Sequence, residues 1–294
     1  MDKSLLECEQ ELQRTIAIAG GRGCPPQLAS ALEYAVFPAG ARVRPQLCLA
    51  VAAAIGGDAA SRGLAMAAAT AIELLHCASL VHDDLPCFDD ATHRRGKPTV
   101  HAAYGERIAL LTGDALIVTA FQSLGRAVGT AGQPERMALV LALVARGVGA
   151  PEGIAAGQAW ECEPRVDVSR YHRAKTGALF IAATAAGAAA AGVDPEPWEV
   201  LGASIGEAYQ VADDIQDATA DEATLGKPTG RDAALNRPNA VAELGLEGAV
   251  GRLRQLLEGG IDTIPECPGR EKLQELVRLQ SSRFMPHCAG RDAA

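Results

Sequence analysis

Apolar positions along this chain recur at helical spacing almost throughout, and no stretch alternates apolar and polar residues for long enough to make a useful strand. Residues 3–19 form an amphipathic pattern that stops at Gly20-Gly21. Pro25-Pro26 open a second helix running toward Phe37, and Pro38-Ala39-Gly40 breaks it. From Pro45 to about Ile55 the chain is apolar on nearly every side, as a buried helix is. Gly56-Gly57-Asp58 is a turn. The longest uninterrupted pattern then extends from near Ser61 to about Asp84 and ends near Pro86. Residues 88–99 are polar and charged and read as a loop. Further helices are expected at about 107–127, 134–148, 169–192, 196–218, 238–258 and 269–284, separated mostly by Gly, Pro and Asp. No hairpin signal, long linker or fixed-period repeat is visible. The expectation is an all-α fold: a single domain over residues 1–294, built as a bundle of roughly ten or more helices.

Composition sharpens that picture. Hydrophobic residues make up 48% of the chain but aromatic ones only 4%, so the core must be assembled from small aliphatic side chains, which suits closely packed helices. A net charge of −9 with no run of Lys and Arg argues against a nucleic-acid partner. The eight cysteines include no C-x-x-C pair, and the chain opens on Met1-Asp2-Lys3 and a charged amphipathic stretch instead of a signal peptide. Reduced thiols in a cytoplasmic protein are therefore expected. The best candidate for a membrane span, Gly177 to Val193, is short and rich in Ala and Gly, so it reads as a buried helix and no transmembrane segment is expected.

Two acidic clusters carry the chemistry. The first is His82-Asp83-Asp84-Leu85-Pro86-Cys87-Phe88-Asp89-Asp90; the second is Gln210-Val211-Ala212-Asp213-Asp214-Ile215-Gln216-Asp217. Each lies at or near the end of a strongly apolar helix. Asp213 and Asp217, four apart, share a helix face with Cβ atoms about 5–6 Å apart. Carboxylates so close repel each other, and a hard cation such as Mg²⁺ relieves this while taking further oxygens from substrate phosphates. Asp83 and Asp89 are six apart and would diverge on a straight helix. Pro86 lies between them, and a local bulge of two residues would return Asp89 to the place of an i+4 residue. Arg94, Arg95 and Lys97 follow the first cluster, and Lys227 follows the second. Carboxylates for metal beside Arg and Lys for phosphate are the constellation expected for a diphosphate substrate.

These residues resemble the trans-type prenyl diphosphate synthases, the polyprenyl synthetase family. Asp83 to Gly96 is similar to the family's first aspartate-rich motif in the bacterial form with two extra residues, and Asp213 to Asp217 is similar to the second. Gly113-Asp114-Ala115-Leu116, Gly157-Gln158, Lys175-Thr176-Gly177, Gln210 and Gly226-Lys227 fall in the family's order. The nearest likeness is to geranylgeranyl diphosphate synthases of bacterial carotenoid pathways. The resemblance implies an isoprenoid-synthase-type bundle around a deep central cavity, assembled as a homodimer, that condenses isopentenyl diphosphate with dimethylallyl, geranyl or farnesyl diphosphate. It implies three Mg²⁺ ions, with Asp83 and Asp89 binding two, Asp213 a third, and Asp84 and Asp217 in support. Asp214 joins the catalytic set. Arg94, Lys175 and Lys227 would hold the allylic diphosphate; Arg44, Arg95 and His76 would hold isopentenyl diphosphate; Gln210 and Thr176 would line the reacting centre.

One departure stands out. Where the family has Gly-Gly-Lys-Arg-x-Arg-Pro, this chain has Ala39-Gly40-Ala41-Arg42-Val43-Arg44-Pro45, so the lysine that helps bind isopentenyl diphosphate is Ala41. A lost charged contact of that kind costs about 1.5–3 kcal/mol. Product length should depend on Ala78 and Ser79, five and four residues before Asp83. Both are small, so a C15 chain could continue inward and a C20 product is favoured; Leu74 and Leu75 lie one turn deeper. The alternatives are a C15 farnesyl diphosphate synthase, a noncatalytic partner subunit and a terpene cyclase on the same fold. Outside the motifs, Trp160 and Trp198 read as packing, His101 and His172 as surface, Cys87 as filler, and Glu161 and Glu163 as a solvated loop.

Overall fold

The computed structural model describes residues 3–37, 40–131, 133–219 and 239–282. Helices α1 (Lys3–Ala19), α2 (Pro26–Val36), α3 (Val43–Ile55) and the long α4 (Ala59–Asp83) come first. A hairpin of β1 (His93–Arg94) and β2 (Lys97–Pro98) leads to α5 (Val100–Tyr104), α6 (Glu106–Ala131) and α7 (Pro134–Val148). Then come α8 (Ile154–Trp160), α9 (Val168–His172), a π-helical turn (Arg173–Gly177), α10 (Ala178–Ala191), α11 (Glu196–Thr219), α12 (Ala240–Asp262) and α13 (Arg270–Ser282).

The boundaries have local causes. Asp58 caps α4 by accepting from the Ser61 amide and hydroxyl, both at 2.9 Å. Proline occupies the first turn of α2 and of α7. Gly192 closes α10 in the left-handed conformation, at φ 85°. Asn239 accepts from the amides of Val241 and Ala242 to start α12, which breaks at Gly245 (φ 71°).

Three details depart from the sequence expectation. The charged stretch after α4 contains a hairpin: Arg94 pairs with Lys97, and Arg95 and Gly96 both take positive φ (53° and 76°), as a two-residue type I′ turn requires. Arg95 stands where Asn or Asp would have signalled that turn. The single helix expected over 169–192 is split by the π-helical turn, which holds Lys175 and Thr176. The short helices α5 and α8 were not expected.

The core has two halves that meet along α10. One is built from α1, α2, α4, α6 and α7, the other from α11, α12 and α13, and α3 and α10 contribute to both. Every residue from Ala178 to Ala190 is buried. Close approach explains the composition: a Cβ at Gly187 would lie 2.4 Å from the Cys48 carbonyl of α3. Among the described residues, three helical stretches are apolar and long enough to cross a membrane by length and composition: α4, residues 106–127 and residues 170–191. The apolar windows of the first and third are 83% and 78% buried inside the protein, so their apolarity serves the core; that of α6 is only 44% buried.

Candidate active site

Backbone geometry assembles the first acidic cluster. Past the end of α4, the Asp89 amide donates to the Asp83 carbonyl at 2.9 Å, closing a link of six residues where a helix would close one of four. That is the two-residue bulge the spacing called for, and it turns Asp89 back toward Asp83. Asp84 accepts both Nε (2.9 Å) and Nη2 (2.7 Å) of Arg94, a two-pronged pair. Burial raises the pKa of both Asp83 and Asp84; Lys175 and Gln158 oppose it at Asp83, and Arg94 opposes it at Asp84. Asp89 lies close enough to act on both.

A second element meets this cluster. Gln158 on α8 donates to Asp83 Oδ1 (2.9 Å) and to the Ser79 carbonyl (3.0 Å), bridging α8 to α4. The π-helical turn packs on α8 so tightly that a Cβ at Gly157 would lie 2.4 Å from the Lys175 backbone. Lys175 Nζ donates to Glu161 at 2.5 Å and lies 3.8 Å from Asp83 Oδ1, and the Tyr171 hydroxyl donates to the same Glu161 oxygen at 2.6 Å. Glu161, read from the sequence as part of a solvated loop, is thus a partner of Lys175. Its surroundings are polar, and only its i+3 relation to Gln158 hints at a shared helix face.

The second acidic cluster joins through Thr176, whose hydroxyl donates to Gln210 Oε1 at 2.8 Å. Gln210 and Gly177 also border a cavity of about 420 Å³ between α10, α11 and α12. Asp213 and Asp217 are half-buried on α11. Asp214 does something else: it is buried, accepts Gln210 Nε2 at 3.0 Å, and accepts the Ala240 amide at 2.7 Å. It fastens the start of α12 and also borders the cavity that Gln210 lines. Lys227 lies outside the described residues.

The basic side is built differently. Arg44 at the start of α3 is buried with its guanidinium 4.4 Å from the Phe180 ring centroid and 5.5 Å from that of Tyr209. Burial lowers its pKa, against Tyr209, Glu73 and Asp213. Burial also drives the pKa of His76 well below its ordinary value, helped by Arg44, Arg95, Arg94 and Arg42, so His76 is neutral. Arg44 Nε and His76 Nδ1 are shut off from solvent and have no hydrogen-bond partner among the described residues. Arg42 does not supply the cation missing at Ala41. It takes φ 50°, is buried, and donates to Glu9 (2.8 Å), Glu73 (2.6 Å) and the Val36 carbonyl (2.9 Å).

The polyprenyl synthetase family model matches residues 25–276. The chain belongs to the polyprenyl synthetase family. It is 58% identical over 283 residues to the geranylgeranyl diphosphate synthase of Cereibacter sphaeroides, covering 95% of this chain and 96% of that one. It is 52% identical to the geranylgeranyl diphosphate synthase of Rhodobacter capsulatus, covering 89% of each. Among solved structures it resembles the geranyltransferase of Helicobacter pylori complexed with magnesium and isoprenyl diphosphate, with a TM-score of 0.78, 29% identity, and 96% and 99% of the two chains covered.

The donor set of this polyprenyl synthetase fits a hard cation: Asp83, Asp84 and Asp89 offer only oxygen, and two of them are destabilised as anions by burial. Among the described residues, no three or more His, Cys, Asp or Glu side chains are already gathered closely enough to enclose a metal ion on their own. Mg²⁺ meets that situation by completing its shell with substrate oxygens and water. The remaining predicted residues are dispersed as follows. Ala78 and Ser79 are buried on α4, and Ser79 donates to the His76 carbonyl. His101 is half-buried on the Ala91 carbonyl, Trp198 is core, and Cys87 is exposed.

Proposed function

We propose that this family member condenses isopentenyl diphosphate with dimethylallyl, geranyl and farnesyl diphosphates and stops at the C20 product, geranylgeranyl diphosphate. The observation that carries the reading is the meeting at the end of α4 of the bulged Asp83–Asp89 pair with Lys175 and Arg94, with Arg44 and Arg95 gathered near His76 as a second basic group. Two phosphorylated substrates need one such basic group each. The C20 product is supported by the small Ala78 behind the motif and by the names of the two relatives.

Asp83, Asp84 and Asp89 on one side and Asp213 and Asp217 on the other would hold Mg²⁺, three ions in all. When bound, these ions neutralise negative charge developing on the leaving diphosphate. Lys175 and Arg94 bind that diphosphate by exchanging Glu161 and Asp84 for phosphate oxygens. The allylic C–O bond breaks with its electron pair going to the diphosphate. Arg44, Arg95 and neutral His76 hold the second substrate so that its double bond attacks the allylic carbon and forms the new C–C bond. A proton then leaves to the departed diphosphate. The apolar helices exclude water, which would otherwise trap the cation as an alcohol.

The exposed apolar side chains Leu110, Leu111 and Val118 on α6, with Leu139 and Leu141 on α7, support a homodimer. We also propose a cytoplasmic setting, on eight cysteines without a C-x-x-C pair. Incubation with Mg²⁺, labelled isopentenyl diphosphate and separate C5, C10 and C15 primers tests the reading by product sizing. A C20 product abolished by EDTA is expected, and Ala78→Tyr should shift it toward C15. Failure to elongate any primer, by folded protein that binds Mg²⁺ and allylic diphosphate, would move the assignment to a cyclase or a partner subunit.

A further inference from the structure

The basic residue Lys97 does not face the acidic cluster. Its ammonium group donates to the Tyr34 carbonyl at 2.6 Å and the Phe37 carbonyl at 2.7 Å, and it sits 3.8 Å from the centroid of the Tyr34 ring. Two carbonyls and a π face use all three of its donor directions. The link is reciprocal, because the Tyr34 hydroxyl donates to the Pro98 carbonyl at 2.8 Å. Tyr34 is itself braced edge-on by Tyr104, with ring centroids 5.3 Å apart, and the Tyr104 hydroxyl lies 3.0 Å from that of Ser30. The hairpin is thereby locked to the carbonyl end of α2.

What the lock positions is Arg95, at the tip of the same two-residue turn. Its guanidinium lies against Gly40 so closely that a Cβ there would be 2.6 Å from it. Arg95 is near enough to affect both Arg44 and His76. Because Ala41 supplies no lysine, the placement of Arg95 and Arg44 matters more here than in relatives that have one.

We propose that Lys97 is a positioning residue for isopentenyl diphosphate, fastening the hairpin to α2 so that Arg95 lies across Gly40 beside Arg44. The proposal rests on the assignment of Arg44, Arg95 and His76 to that substrate. Steady-state kinetics on Lys97→Met and Lys97→Arg test it, with each substrate varied in turn. Displacing a binding group by an ångström costs up to about a hundredfold, so Lys97→Met should raise the KM for isopentenyl diphosphate about tenfold. The KM for the allylic primer and kcat at saturation should move less than about twofold, since Lys175 and Arg94 are untouched. Lys97→Arg should restore most of the loss, because a guanidinium can also reach both carbonyls. Tyr34→Phe, which removes only the return bond to Pro98, should raise the same KM to a smaller degree and keeps the test open if Lys97→Met does not fold. An unchanged KM for isopentenyl diphosphate, or an equal rise for both substrates, overturns the proposal. Wild-type protein that elongates no primer defeats the functional reading instead.

Discussion

On the acidic side of the site, each carboxylate of the first cluster that the structure shows in detail already has a cation or amide against it: Asp84 holds Arg94, while Asp83 meets Gln158 and Lys175. On the basic side, Arg44 rests on the faces of Phe180 and Tyr209, and its Nε has no hydrogen-bond partner among the described residues. An aromatic face stabilises a guanidinium without using its in-plane N–H donors, whereas a carboxylate uses them up. The acidic side therefore stores its charge as internal pairs that ligands must exchange. On the proposed reading, the basic side meets its anion without giving up an internal carboxylate partner.

Removing an acidic partner should have the largest effect. Asp83→Ala takes away a group that acts on the charge of the leaving diphosphate, and kcat should fall about 10²–10³-fold in single-turnover assays. A loss under tenfold would mean the pairings at the end of α4 are only structural. The basic side can be broken more gently by Arg44→Lys. This keeps the charge but loses the planar fork and its fit between two rings, so the KM for isopentenyl diphosphate should rise about 10–100-fold. An unaltered KM would show that the rings do not preorganise this side.

Smaller effects test the exchange itself. Glu161→Gln neutralises the nearer of the two carboxylates around Lys175, at 2.5 Å against 3.8 Å for Asp83, leaving the ammonium to pair with Asp83 and compete with metal. The Mg²⁺ concentration for half-maximal turnover should rise about two- to fivefold, as expected for a partly exposed ion pair. The weakest effect concerns stability. His76 has a folded-state pKa well below its ordinary 6.5, so the unfolded chain binds the extra proton first. The contribution of a neutral His76 is fully present well above pH 6.5 and declines as pH falls through and below it, by about 1 kcal/mol between pH 6.5 and 5.5. Urea melts at pH 6.5 and 5.5 should show this slope in the wild type and not in His76→Gln.

The helical architecture was legible because apolar spacing and Gly, Pro and Asp breaks act locally. So was the bulge after Asp83, since a six-residue interval containing Pro86 has few other solutions. Less visible features had their cause elsewhere in the chain. Glu161 meets Tyr171 on α9 and Lys175 on the π-helical turn, ten and fourteen residues on, and the one extra residue of a π-helical turn leaves no compositional mark. Asp214 stands next to Asp213 in the acidic cluster, but one helical step of rotation aims it at the amide of Ala240, 26 residues away. Arg42 followed the family pattern, yet its role depends on Glu9 and Glu73 from two other helices.

The burial of α10 has a consequence for measurement. A helix enclosed from Ala178 to Ala190 by α3, α4, α7 and α11 cannot open without parting both halves of the core. Its amide protons should exchange with deuterium only through global unfolding, at a rate that reports the stability of the whole molecule. Peptides from α8 and the π-helical turn should respond to ligands, so one labelling experiment carries its own internal reference.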